Sequence, residues 1–484
     1  MSRATLSRRT MLQGTGVAVA TAFVPGCRRW SSEQGPGTEP LPALDGRLLM
    51  DAASRTKAAE DYGHMVHRQP WAVLVPGSGE DIAKMVRFAR ARGLQVAASR
   101  GLGESHNTVG RAQAEAGLVI DMSALAALHE LNETSAWVDA GMRWSKLLEA
   151  TLPLGRGPPT MTDYIELSIG GCLSVGGIGG QTYRHGLQVD NVLELEVVTG
   201  RGELVRCSPS ENAELFHAVR GGLGQFGIIV RARIKLVPVP PKARVYTASY
   251  TDLATFLADQ QRLLARGQFD YVEGQVVPVG KGRAFQLEVA KYFTPGAEPV
   301  DAELLAGLSF TPDSLKTHDS GYPEFVNRLA PTVAFLERMG VWGHPHPWLN
   351  MFVPAEATAA FVQWVLEQTP VEEMGQDPVL LYPFVPGKLT APFVRVPSGD
   401  TAFLFALLRT ANPPTPENVQ ALREKNQTLL TRLAAVGGRA YLVSQGPRNP
   451  AEWREHFHPV WEAFQAAKTA FDPDHVLTPG QGIF

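Results

Sequence analysis

Glycines, one well-placed acid, two histidines and three cysteines are the residues here whose types and spacing could do chemistry. The densest stretch runs from Asp163 to Ile234. It holds Gly170-Gly171, Gly176-Gly177-Ile178-Gly179-Gly180 and Gly221-Gly222-Leu223-Gly224-Gln225-Phe226-Gly227. Glycine has no side chain and tolerates positive φ, so such runs let backbone press against a flat or polar partner. Their exposed N–H groups suit phosphate, which points to a bound dinucleotide. Gly222 to Gly227 has the G-x-G-x-x-G spacing, but a helical pattern (211–220) precedes it and a β-branched strand (228–234) follows. A nicotinamide-binding fingerprint needs the opposite order, so that fold is excluded. Asp163, taken alone, reads as a helix N-cap. His344 and His346 form an H-x-H pair in a Pro/Trp loop that could suggest a metal. Cys27, Cys172 and Cys207 allow at most one disulfide and fit neither a zinc ribbon nor a redox pair.

The elements that must position these residues follow from length and periodicity. A chain of 484 residues calls for two or three domains. Hydrophobic content of 44% with 19% charged residues indicates a soluble globular protein with a sizeable core. A net charge of −3 without a basic stripe argues against nucleic acid as a partner. Short strands are expected at 72–76, 94–98, 118–121, 136–140, 192–198 and 204–207, with helices at 81–92 and 144–152. This intermixture up to about Pro240 indicates α+β. Longer helical patterns follow at 253–266, 355–368 and 416–436, with a strand at 379–382. The last segment has a strand at 440–442 and a helix at 459–471.

The N-terminus is set apart. Arg8-Arg9 before the short apolar run 14–24 has the layout of a twin-arginine export signal, and the run is too short for a permanent span. It predicts a periplasmic or extracellular protein. Val24-Pro25-Gly26-Cys27 resembles a lipoprotein cleavage box with an unusual proline, so a lipid anchor at Cys27 and a free exported chain both stay open. Residues 28–41 read as a linker.

Several separated motifs together resemble cytokinin dehydrogenase, a flavoenzyme of the vanillyl-alcohol-oxidase (PCMH-type FAD-binding) superfamily. They are the run from Gly176 to Ile234, Phe269-Asp270-Tyr271-Val272-Glu273-Gly274, His346-Pro347-Trp348-Leu349-Asn350 and the terminal Pro479-Gly480-Gln481-Gly482-Ile483-Phe484. The resemblance spans about Ala72 to Phe484. It implies a two-domain FAD-linked oxidase fold: signal and linker at 1–41, an FAD-binding domain at 42–240 completed by 439–484, and an inserted α+β substrate domain at 241–438. It further implies FAD contacts at Gly101, Gly103, Glu104, Ser105, His106, Asn107, Gly110, Arg111, Ser168, Ser174, Ile178, Ile229, Tyr441 and Gln481. Where the family has Gly-Arg-Gly-His-Ser, with flavin carried on the histidine, this chain has Gly101-Leu102-Gly103-Glu104-Ser105-His106-Asn107. Counting back from Val119-Ile120-Asp121 puts His106 at the flavin-bearing position, and the spacing through Gly110 agrees; counting forward from Gly101 puts Glu104 there.

The same resemblance assigns chemistry. Asp163 matches the family's aspartate that takes a hydrogen bond or proton from the substrate amine, and Glu273 is a second candidate carboxylate. Oxidising a C–H beside nitrogen leaves the nitrogen to shed a proton, which a carboxylate in an apolar pocket can accept. Cys172 is expected to pack on the cofactor, and His346 to serve domain packing. Leu442 keeps a family pocket position, whereas Leu389 stands where the family has a tryptophan, which weakens stacking on a purine. The implied substrate is a small-molecule amine, N6-isopentenyladenine first, with oxygen or a quinone as electron acceptor. The alternatives are oxidation of an alcohol, sugar or other amine on this fold, and a flavin-binding electron-transfer protein.

Overall fold

A computed structural model describes residues 21–24, 29–32, 41–101, 109–374 and 379–484. Apart from an antiparallel pairing of Thr21–Val24 with Arg29–Ser32, the expected export segment, including Cys27, lies outside the described residues. Among the described residues no helix is long and apolar enough to cross a membrane.

The first apolar runs form a small sheet of β1 (Arg47–Leu49), β2 (Ala72–Val75), β3 (Val96–Ser99) and β4 (Leu118–Asp121), in the order β1-β2-β4-β3. β2 and β3 both run parallel to β4. Parallel strands are covered on both faces, which is why β2 and β4 read as unbroken apolar runs rather than alternating ones. Helix α1 (Gly79–Arg90) makes the crossover; Ser78 caps it by accepting from the Asp81 N–H at 3.3 Å, and it buries Ile82, Met85 and Val86.

A second, antiparallel sheet holds β5 (Leu128–Leu131), β6 (Ser135–Asp139), β7 (Val192–Thr199), β8 (Leu204–Cys207) and β9 (Gly227–Lys235), ordered β8-β7-β9-β6-β5. Helix α2 (Ile169–Val175) packs on β9, and α3 (Ala213–Val219) precedes the glycine turn into it. Helix before, strand after is the order that excluded the nicotinamide fingerprint.

Residues 242–440 supply an eight-stranded antiparallel sheet: β10 (Lys242–Tyr250), β11 (Tyr271–Val279), β12 (Gly282–Phe293), β13 (Lys316–Gly321), β14 (Leu349–Pro354), β15 (Val379–Phe384), β16 (Ala402–Leu407) and β17 (Arg439–Ala440). Its order is β13-β10-β12-β11-β15-β16-β14-β17. Helices α4 (Leu253–Arg266) and α7 (Ala355–Gln368) lie on it over a core that includes Phe256, Leu263, Phe361 and Val365. Between them in the chain come α5 (Tyr322–Val326) and α6 (Ala330–Arg338); α8 (Pro416–Ala435) follows.

The C-terminal portion returns to the first two sheets. The helix expected at 459–471 is α10 (Trp461–Phe471), packed on α3, and a further helix, α9 (Pro450–Phe457), precedes it. Lys468 Nζ donates to Gln225 O at 3.0 Å and to Asp472 at 2.7 Å, and Asp472 accepts the N–H groups of Val476 and Leu477 at 2.9 Å. Leu477 then bridges Val96 of β3. The tail is thereby clipped to the edge of the first sheet. The expected strand at 440–442 is only β17; Tyr441 and Leu442 leave it and turn inward.

Candidate active site

Asp163 does not cap a helix. Ser168 does, accepting from the Gly171 N–H at 3.3 Å, so the N-cap reading of Asp163 is corrected. The aspartate sits in the loop before α2, free to meet groups from the large sheet. That meeting depends on Gly180, where a Cβ would fall 2.5 Å from the Tyr271 ring. Without it, β11 lies directly against the glycine run, and the Val272 N–H donates to Gly180 O at 3.0 Å.

Side chains two apart on a strand share a face, so Tyr271 and Glu273 arrive together. The Tyr271 hydroxyl lies in hydrogen-bond reach of Asp163 Oδ1 at 2.8 Å and of Glu273 Oε2. Arg328, two residues beyond α5, closes the cluster: Nη2 donates to Asp163 Oδ1 at 2.9 Å and to Glu273 Oε2 at 2.8 Å, and Nε to Glu288 Oε1 at 2.7 Å. Glu273 and Glu288 stand opposite each other in the β11–β12 register, a like-charge pairing that disfavours a sheet unless something neutralises it. Burial, then the charge of Asp163, hold Glu273 well above the usual carboxylate range, with Arg328 opposing. Burial also pulls on Arg328, but Asp163, Glu273 and Glu288 together outweigh it and raise the guanidinium above its ordinary value. Tyr382 of β15 is raised by burial and by the charges of the same two acids.

Next to this cluster lies the glycine bed. The Gly177 N–H donates to the Tyr441 hydroxyl at 2.9 Å, and Leu223 joins the two glycine runs by donating to Ser174 O at 2.8 Å. Gln481 Nε2 donates to Leu223 O at 3.0 Å, while its Oε1 is buried without a partner among the described residues. So are both amide atoms of Gln188, which presses on Gly177. Buried polar atoms are normally paired, so orphans gathered along glycine backbone fit a bed that a polar, flat ligand completes. Ile178 and Ile229 are buried beside it in the main core.

The loop after Gly101 is fixed at both ends. The Gly101 N–H donates to Asp121 at 3.0 Å and the Gly110 N–H to Asp61 at 3.2 Å. Burial raises the Asp61 carboxyl, and the N–H groups of Val66, Met65 and Gly110 pull it back. Gly103, Glu104, Ser105, His106 and Asn107 lie outside the described residues. Arg111, just after the loop, donates to Ser444 O; burial brings it down to about 10, with Tyr441 opposing.

Other expected residues fall elsewhere. Leu442 packs on Gly446 and, with Tyr441 and His456, lines a narrow cavity. Leu389 is half-buried in a loop held by Asp190, which accepts the N–H groups of Thr390 at 2.7 Å and Ala391 at 3.1 Å. Cys172 is a free buried thiol, pushed up to about 12 by burial, with Trp144 opposing. His346 stacks on Tyr62 at 4.7 Å and bonds Trp342 O at 3.0 Å, a packing role; among the described residues no group of three ligands could hold a metal. Sequence reasoning missed Arg328 and Glu288. Only strand register and the path after α5 bring them to Asp163, and neither leaves a local signal.

A family model described as cytokinin dehydrogenase 1, FAD and cytokinin binding, matches residues 278–484, and an FAD binding domain model matches residues 70–208. An uncharacterized oxidoreductase, ORF5 in the fasciation locus of Rhodococcoides fascians, is 39% identical over 90% of this chain and 99% of its own. Cytokinin dehydrogenase 1 of Oryza sativa subsp. japonica is 35% identical over 92% of this chain and 94% of its own. Among solved structures, 6-hydroxy-D-nicotine oxidase from Arthrobacter nicotinovorans superposes with a TM-score of 0.70 at 22% identity, over 91% of this chain and 98% of that one, a likeness of fold. Fold and site define an FAD-dependent oxidoreductase whose FAD-binding part is built from both ends of the chain. The chain belongs to the cytokinin dehydrogenase family.

Proposed function

We propose that this enzyme oxidises the C–N bond of a secondary amine of the N6-isopentenyladenine kind, giving an imine that water splits into adenine and an aldehyde. The observation that carries the reading is Asp163: a carboxylate at the head of the glycine bed, its Oδ1 held by Tyr271 and Arg328. FAD, when bound, supplies the acceptor for the hydride from the carbon beside nitrogen. Gly177, Tyr441, Gln188 and Gln481 would hold it along the glycine bed. Asp163 receives the proton that the substrate nitrogen sheds, so the amine loses one hydride and one proton in all. A positioned base of this kind contributes about 10²- to 10⁴-fold. Names of relatives such as the rice cytokinin dehydrogenases support the substrate class. The electrons then pass to oxygen or a quinone.

One observation favours a second reading. The resemblance sets Leu389 where the family has a tryptophan, and an aliphatic side chain there would stack less well on a purine, so a different secondary amine on the same machinery is the rival. Product analysis separates the two. Turnover of N6-isopentenyladenine should release adenine and aldehyde in equal amounts, and Leu389→Trp should lower its KM. Turnover of other amines but not of this purine, with Leu389→Trp unable to restore it, would favour the rival.

A further inference from the structure

Arg328 binds together groups that are far apart in the chain. Its Nη2 faces Asp163 Oδ1 at 2.9 Å, Glu273 Oε2 at 2.8 Å and the Tyr271 hydroxyl, while Nε faces Glu288 at 2.7 Å. The Tyr271 and Phe325 rings lie against the guanidinium, with centroids 4.7 and 4.9 Å from its carbon. Among the described residues, Tyr292 of β12 and Tyr382 of β15 also feel the charges of this cluster.

Counting hydrogens restricts the arrangement. A tyrosine hydroxyl carries one hydrogen and an ionised carboxylate none, so Tyr271 cannot donate to Asp163 and Glu273 at once. One shared proton resolves this. Glu273 donates to the phenol oxygen, the phenol donates to Asp163, and Nη2 supplies the remaining hydrogens. The opposite assignment places the charge on the deeper acid: the Glu273 side chain is 10% exposed and that of Asp163 17%. Desolvation penalises charge at the deeper site.

We propose that Arg328 is a positioning residue that, through Tyr271, fixes the Asp163–Glu273 pair at one negative charge and keeps that charge on Asp163. The inference rests on the base role proposed for Asp163. When Asp163 takes the substrate proton the pair becomes neutral, and Arg328 remains paired with Glu288. A residue needed only for folding would have no such effect on where the pair titrates.

The test uses the flavin-loaded enzyme, with flavin content and Tm as controls. Arg328→Gln should move the acid limb of kcat/KM upward by about one pH unit or more. Glu288→Gln, which removes a competing negative charge, should move it downward and serves if Arg328→Gln does not fold. Infrared spectroscopy of the resting enzyme reads the same pair without substrate. At neutral pH the wild type should show a buried carboxylic-acid band that Glu273→Gln removes, and Arg328→Gln should add a second that Asp163→Asn removes. An unmoved acid limb and unchanged carboxyl bands in folded Arg328→Gln, or an upward shift in Glu288→Gln, would overturn the proposal. Failure of N6-isopentenyladenine as a substrate would sink only the substrate reading, because the infrared bands need none.

Discussion

At the scale of single residues, two neighbouring acids are set apart by their surroundings. Asp163 is reached by Tyr271 from the large sheet and by Arg328 from the turn after α5, whereas Glu273 is deeper and held well above the usual carboxylate range by burial and by Asp163. The folded chain therefore keeps a proton on Glu273 that the unfolded chain releases above about pH 4.3. Stability from this group is present at low pH and is lost as pH rises through the folded value. The Tm of the wild type relative to Glu273→Gln should accordingly decline as pH rises across that window; a difference that is flat or grows would contradict the assignment. Asp163 was legible through the motifs around it and not by itself, since a Thr-Asp before a helix equally suggests a cap, a task the fold gives to Ser168. Arg328 and Glu288 were illegible because register and a distant turn bring them in.

Among elements, the terminal motif does more than end the chain. Asp472 and Lys468 clip the segment after α10 to the first sheet, and this delivers Gly480 onto the end of the loop that starts at Gly101. A Cβ at Gly480 would fall 2.0 Å from Gly110 O and 2.9 Å from Arg68 Nη1, which itself donates to Gly480 O at 2.9 Å. Overpacking of this order costs about 1–3 kcal/mol. Gly480→Ala should fold with a lower Tm and carry less FAD per chain, read from protein-bound flavin absorbance after gel filtration. Full flavin content at wild-type Tm would show that the tail does not support the loop. Periodicity anticipated helices such as Leu253–Arg266 and Ala355–Gln368 with their observed bounds, because both are long and amphipathic over a sheet. Helix α9 and the inward turn at Tyr441 escaped it, the latter held by the Gly177 N–H from far back in the chain.

For the whole molecule, the fold class and the cofactor were readable because many separated motifs had to agree at once. Glycine runs, a strand-following turn and a terminal Pro-Gly-Gln converge on one bed only when the chain returns to its own beginning. Substrate choice was not readable in that way, since the proposed role of Leu389 belongs to a loop whose setting depends on Asp190 two hundred residues earlier. On the proposed function, the glycine bed and the acid cluster work as one amine-oxidising site. Anaerobic mixing of the flavin-loaded enzyme with N6-isopentenyladenine tests this most directly, with flavin absorbance as the readout. The wild type should bleach rapidly, and Asp163→Asn should bleach about 10²- to 10⁴-fold more slowly with its flavin content intact. Bleaching of Asp163→Asn at the wild-type rate, or bleaching of the wild type only by alcohols or sugars, would contradict it.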